Sequence, residues 1–405
     1  MWPDGPMPAN GRPAARAPRR AGAIVVGGDY QGLGIVRSLG RRGVPTCVID
    51  DERSIARYSR YTSHAIACED LRDEQRTVAT IIDTGRRLGL EGWVLYPTRD
   101  ETVAAFSRYR SELAEHFKVP TPPWDVVRRA WDKRETYALA AELGIPVPRT
   151  WYPANATELQ QVEGEPPFAI KPAIKEHFIY ATKSKAWKAR TKAELESLFE
   201  SAAGIVEPGE VMIQELIPGD GRQQFAYCAF FKNQEPVAKM VVQRRRQHPP
   251  EFGRASTFVQ TVDAPEVDRL SERFLRSLDF YGLVELEFKL DPRDGQYKLL
   301  DVNARTWGYH TIGTKAGVDF PYMVYADQVG ERVQQCRAES GVRWIRLATD
   351  LPTAAVEVVN GRLDWRAYGR SLASSNVESV FSRRDPLPGL MELCLIPYLA
   401  VKRGF

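Results

Sequence analysis

Residues 282–305, GLVELEFKLDPRDGQYKLLDVNAR, alternate apolar and polar side chains through two runs separated by a turn sequence. A period of two belongs to an extended strand, because successive side chains leave it on opposite faces. In the first run Val284, Leu286 and Phe288 alternate with Glu285, Glu287 and Lys289, and in the second Leu300 and Val302 alternate with Asp301, Asn303 and Arg305. DPRDG between them is turn chemistry, so the runs are expected to form a hairpin. A register that keeps the apolar groups together pairs Asp291 with Tyr297, Glu287 with Asp301, and Glu285 with Asn303. Carboxylates facing each other across a ladder repel, so one is protonated or a cation sits between them. Glu287, Asp301 and Asn303 are hard oxygen donors that suit Mg²⁺, with Mn²⁺ as an alternative. Arg305, one step along the same face, is then placed to steady a phosphoryl group. The plain alternative is a solvated acidic face on an exposed hairpin.

Upstream, AIVVGGDYQGLGIVRSLGRRGVPTCVIDD from Ala23 reads as strand, glycine turn, amphipathic helix and second strand, the βαβ unit of a parallel, doubly wound sheet. Gly27, Gly28, Gly32 and Gly34 match neither the G-x-G-x-x-G dinucleotide spacing nor a P-loop, which argues against a nicotinamide oxidoreductase. A helix is expected over 125–143, stopped by Gly144, with the IPVP segment as a stiff connector. FAIKP places Lys171 at a strand end, 181–189 alternates like a strand bearing Lys183 and Lys185, and VMIQE runs into a Pro-Gly turn. Two strand-borne lysines can face a phosphate chain, which suits ATP. In VVQRRRQHPPEFG, Arg244, Arg245, Arg246 and His248 are expected on an inter-strand loop, and alternation out of the VV strand aims Arg244 and Arg246 alike. Arg246 is the preferred clamp for a substrate carboxylate, although a charge run is often only a solvated surface.

Taken in order, strand lysine, second lysine, QELIPG hinge, E-x-E-F and D-x-N-x-R resemble the ATP-grasp superfamily, with DK at 132–133 and ELGIPVP adding to the likeness over residues 22–330. The resemblance is nearest to predicted ATP-dependent carboxylate-amine ligases, including D-aspartate ligase-like proteins, and extends to the ATP-grasp domains of carbamoyl phosphate synthetase large subunits. It implies a mixed α/β and α+β architecture: a doubly wound pre-ATP-grasp domain over 21–124, then an ATP-grasp domain over 125–330. The latter divides into a small central lid at about 145–215 and an antiparallel ATP/Mg sheet at about 216–330. By the resemblance Lys171 and Lys185 contact phosphates, Lys133 is the cofactor-binding basic residue before the central lid, and the backbone of Glu215 and Leu216 meets adenine. Glu287, Asp301 and Asn303 hold the metal, and Arg305 faces the phosphate. Asp301 stands where the family more often has Glu. No ribose-holding acid is evident beyond the hinge, where Asp220 or Gln224 would serve, and the phosphate-covering stretch KEHFIYATK lacks glycine. The implied reaction activates a carboxylate through an acyl-phosphate for attack by an amine or thiol, with amino acids as candidate substrates. A carboxylase or phosphotransferase of the same superfamily, and a non-catalytic nucleotide-binding regulator, are the alternatives.

Composition adds bounds. With 43% hydrophobic and 27% charged residues, the 405-residue chain reads as an ordinary globular protein, and most of its +4 charge sits in residues 1–20, a leader with four Arg, one Asp and five Pro. The body is close to neutral, so nucleic acid is not an expected partner. Five scattered cysteines without metal spacing read as buried thiols of a reducing cytoplasm. Residues 331–405 carry no readable motif, and 387–405, interrupted by Glu392 and Pro397, read as a docked helix with peripheral membrane contact as the alternative. A second copy of the chain is a further candidate partner.

Overall fold

The computed structural model describes residues 20–249, 253 and 255–403. All of the expected leader but Arg20 therefore lies outside the described residues. The first sheet holds β1 (Ala23–Val26), β2 (Thr46–Asp50), β3 (Thr62–Ala67) and β4 (Val94–Pro97), all parallel in the order β3-β2-β1-β4. β1, β2 and β4 are buried throughout, as expected of strands covered on both faces. Gly27 closes the β1 turn with φ +95, and a Cβ there would meet the Thr98 hydroxyl at 2.0 Å.

A small antiparallel sheet follows, with β5 (Thr150–Trp151), β6 (Phe168–Pro172), β7 (Trp187–Ala189) and β8 (Val211–Glu215) in the order β5-β8-β6-β7. It packs its own core, including Phe168, Ile170, Phe199 and Ile213, against the helix Lys192–Ala203. The large sheet comprises β9 (Gln224–Lys232), β10 (Glu235–His248), β11 (Ala255–Thr261), β12 (Gly282–Leu290), β13 (Tyr297–Asn303), β14 (Cys336–Arg337), β15 (Arg343–Ile345) and β16 (Val377–Glu378). Its order is β13-β12-β9-β10-β11-β15-β16, with β14 paired to β10. Segments beyond residue 330 thus extend this sheet.

β9 shows why the centre of the sheet is stable. Ala226, Cys228 and Phe230 enter a core shared with the first sheet, while Tyr227, Ala229 and Phe231 enter one built with the helix Pro265–Ser277. Burial on both faces turns a period-two pattern into a continuous apolar run.

Four local expectations are corrected. The helix expected over 125–143 is two, Trp124–Trp131 and Lys133–Glu142, because Asp132 leaves the helical region (φ −92, ψ 114) and its carboxylate caps the second helix through Arg134 N–H. The stretch 181–189 is not a continuous strand: a helix ends at Thr182, Lys183 has φ 56, and β7 begins at Trp187. The phosphate-covering stretch KEHFIYAT is that helix rather than a loop. Arg244, Arg245, Arg246 and His248 lie within the 14-residue β10 rather than on a loop. Of the cysteines, Cys47, Cys68 and Cys228 are buried, Cys336 is intermediate and Cys394 is exposed; all are free.

Candidate functional site

The hairpin register holds where the acidic residues lie: Glu285 faces Asn303, Leu286 faces Val302 and Glu287 faces Asp301. Toward the turn a bulge shifts it, so that Leu290 rather than Asp291 faces Tyr297. The extra residue is Leu300, and Leu299 takes the buried place expected for it. Leu300 remains half-exposed, its carbonyl accepting from the Tyr137 hydroxyl at 2.9 Å.

Glu285 and Glu287 share the β12 face opposite Val284, Leu286 and Phe288, and each is answered by a cation or hydroxyl. Arg244 of β10 reaches Glu287 at 3.1 Å, and Lys133 reaches Asp301 at 2.6 Å. The break at Asp132 matters here, since it starts a new helix at the lysine that meets β13. Asn303 donates its amide to Glu285 at 3.2 Å, and the Tyr309 hydroxyl donates to the other oxygen of Glu285. Burial first, and the charge of Glu287 second, push the Glu285 carboxyl up to about 7. The raised pKa favours the protonated form, which relieves the repulsion among neighbouring acids.

Lys171 lies on β6 beside Tyr137, 3.4 Å from its hydroxyl. Burial pulls its pKa down to about 8, while Asp301 and Glu287 work to hold it up. Lys185 lines a cleft of about 170 Å³ together with Glu285, Glu287, Asn303 and Arg305. Arg305 forks onto Asp100, at the start of the helix Asp100–Arg108, at 2.7 and 3.1 Å, and reaches the Asn303 side-chain oxygen at 3.3 Å. Burial opposes the charge of Arg305, but Asp100, Glu285 and Asp301 outweigh it and its pKa is raised.

Lys133, Lys171, Lys185, Glu287, Asp301, Asn303 and Arg305 are thus drawn from two sheets, one helix and the segments just before β7 and just after β13 into one site. Glu215 and Leu216 stand apart from the acidic cluster, at the exit of β8. Glu215 exchanges backbone and side-chain hydrogen bonds with Arg149 and pairs with Arg293 at 3.0 Å and Lys298 at 3.6 Å. This network ties the hinge to the hairpin turn, and Lys289 adds bonds to the carbonyls of Ile217 and Gly219 at 2.8 and 3.0 Å. Asp220 is paired with Arg222 at 2.7 Å, and the Gln224 side chain accepts from Arg244.

Arg246 departs from its expected aim. Register shifts on either side of it break the alternation, and its guanidinium forks onto Asp350 at 2.9 and 2.8 Å with Ser371 at 3.0 Å. Gln247, not Arg246, joins Arg244, at 3.0 Å. Sequence reasoning passed over Arg244 as a partner of Glu287, and Tyr309 and Asp100 altogether. Tyr309 and Asp100 carry no period or motif that would announce them.

The donor set fits a hard divalent cation: two carboxylates and an amide oxygen come from adjacent strands, with the buried Glu285 carboxyl beside them. No group of three His, Cys, Asp or Glu with metal-holding geometry occurs among the described residues. A metal here would need the amide, or oxygens brought by a ligand, to complete its shell.

A family model described as "ATP-grasp in the biosynthetic pathway with Ter operon" matches residues 230–349. The D-aspartate ligase of Enterococcus faecium is 23% identical over 325 residues, 76% of each chain. Among solved structures, the L-amino acid ligase from Bacillus licheniformis superposes with a TM-score of 0.61 at 14% identity, covering 78% of this chain and 75% of its own. N5-carboxyaminoimidazole synthetase from Staphylococcus aureus, complexed with ADP, gives 0.61 at 14%, covering 80% and 81%. The chain shares the fold of these structures, and the family match falls on the strands that bear the acidic hairpin.

Proposed function

We propose that the chain is an ADP-forming ligase that joins a small-molecule carboxylate to an amine through an acyl-phosphate. The observation that carries this reading is the convergence of Lys133 and Lys171 on the Asp301 and Glu287 pair. Cations set against oxygen donors in this way suit a phosphate chain and its counter-ion. Lys133, Lys171 and Lys185 would neutralise the phosphates, and the backbone at Glu215 and Leu216 would border the adenine. Glu287, Asp301 and Asn303 would hold Mg²⁺, which when bound offsets charge on the β- and γ-phosphates. Arg305, kept in place by Asp100, would steady the γ-phosphoryl group as the carboxylate oxygen attacks it and ADP leaves. The amine then attacks the acyl carbon and phosphate leaves. Alignment and charge neutralisation suffice for both steps, and no side-chain nucleophile is required. The pairing of Arg246 with Asp350 favours Arg244, at the acidic cluster, as the arginine nearer the reacting groups.

The likeness to a D-aspartate ligase and an L-amino acid ligase makes amino acids the first substrates to try. The test is an ADP-release screen over amino acid pairs, with mass detection of the product. Glu287→Ala combined with Asn303→Ala is expected to abolish ATP turnover, and turnover at the wild-type rate would refute the metal assignment. If nucleotide binds but no pair yields ADP, a non-catalytic regulator replaces the ligase.

A further inference from the structure

A cleft of about 710 Å³ is lined by β10, β11, β15 and the helices Leu347–Val359 and Trp365–Ala373. Six arginines line it, against Asp220 and Glu357. Both acids are spent on neighbours: Asp220 pairs with Arg222 at 2.7 Å and Glu357 with Arg362 at 3.4 Å. Arg246 is held by Asp350. Arg245, Arg343 and Arg370 remain, and among the described residues none of the three has an ion pair. Arg245 and Arg343 both reach the Gln260 side-chain oxygen, each at 3.4 Å, which brings two like charges together over one neutral acceptor. The charge of Arg245 is penalised by burial and then by Arg343 and Arg222. Unopposed guanidinium groups crowded in a cleft suit an incoming anion that takes their forks bidentately.

We propose that this cleft seats the phosphate group of a phosphate-bearing acceptor substrate between Arg245, Arg343 and Arg370. The proposal rests on the ligase reading and deepens it by naming the chemical class of the second substrate. The volume lies within the roughly 300–1,000 Å³ typical of clefts for drug-sized ligands, far beyond the need of a free amino acid. Position agrees with this role: Gln247 lines the cleft and also bonds Arg244, which reaches Glu287 of the acidic cluster. The C-terminal segment, motif-free in sequence, supplies one wall.

The test is calorimetric titration of inorganic pyrophosphate into the full chain saturated with ADP and Mg²⁺, so that the nucleotide site is filled. Saturable binding is expected, weakened about tenfold or more in Arg245→Ala and in Arg343→Ala, with ADP affinity unchanged as the check on folding. Arg370→Ala, on an exposed helix, provides a variant with little risk to the fold. No binding to the wild type, or equal binding by all three variants, overturns the proposal. Citrate binding more tightly than pyrophosphate would replace phosphate with clustered carboxylates and overturn it too. If ADP itself fails to bind, the ligase reading falls, and pyrophosphate titrated into the nucleotide-free chain and its Arg245→Ala variant still decides the fate of the cleft.

Discussion

Lys171 carries the sharpest consequence at the scale of single residues. With burial holding its pKa near 8, it is charged at neutral pH and loses its proton just above it. Only the protonated ammonium attracts phosphate, so ADP affinity is expected to fall as pH rises through about 8, by about tenfold one unit above that value. Lys171→Arg, charged throughout, should flatten this profile, and Lys171→Ala should weaken binding already at pH 7; ADP dissociation constants measured from pH 6.5 to 9.5 check all three. A lysine at the end of FAIKP was legible as a strand-end charge. Its depressed pKa was not, because burial by Tyr137 and the surrounding strands depends on residues distant in sequence.

Among elements, the hairpin of β12 and β13 shows how far alternation reaches. The pairs Glu285 with Asn303 and Glu287 with Asp301 follow from period two, but the bulge at Leu300 does not, since a single extra residue leaves both flanking patterns intact. The bulge makes Leu299 the core residue, so Leu299→Ala is expected to cost about 2–5 kcal/mol and Leu300→Ala much less. Urea midpoints of the two variants distinguish the observed register from an unbulged one, which would reverse the order. β10 repeats the lesson: its irregular register separates Arg246 from Arg244, so the alternation that aims the two alike does not hold, and Arg244 meets Glu287 while Arg246 meets Asp350.

Across the whole molecule, the C-terminal segment is fastened to the N-terminal sheet by charges out of reach of water. Arg37, on the helix after β1, pairs with Asp385 at 2.9 Å with both side chains nearly inaccessible, and Asp385 also accepts from Ser59 and the Arg60 N–H. Asp385→Ala leaves Arg37 buried without its counter-charge and is expected to cost about 3–5 kcal/mol, read from denaturant unfolding. ADP affinity should stay the same, because the pair shares no residue with the acidic cluster. The helix Leu387–Arg403 docks through Glu392, bound to Arg346 at 3.0 Å, while Leu390, Leu393 and Ile396 stay exposed. No described helix is long and apolar enough to cross a membrane. By itself the sequence determined what is periodic or local: the parallel N-terminal unit, the acidic hairpin, and the order of lysines and hinge that carries the resemblance to ATP-grasp proteins. Only the tertiary structure decided which arginine meets Glu287, that Asp100 holds Arg305, and that the unreadable C-terminal segment walls a basic cleft. The physical reason is that charge pairing and burial are set by neighbours in space, and no spacing along the chain encodes a partner tens or hundreds of residues away.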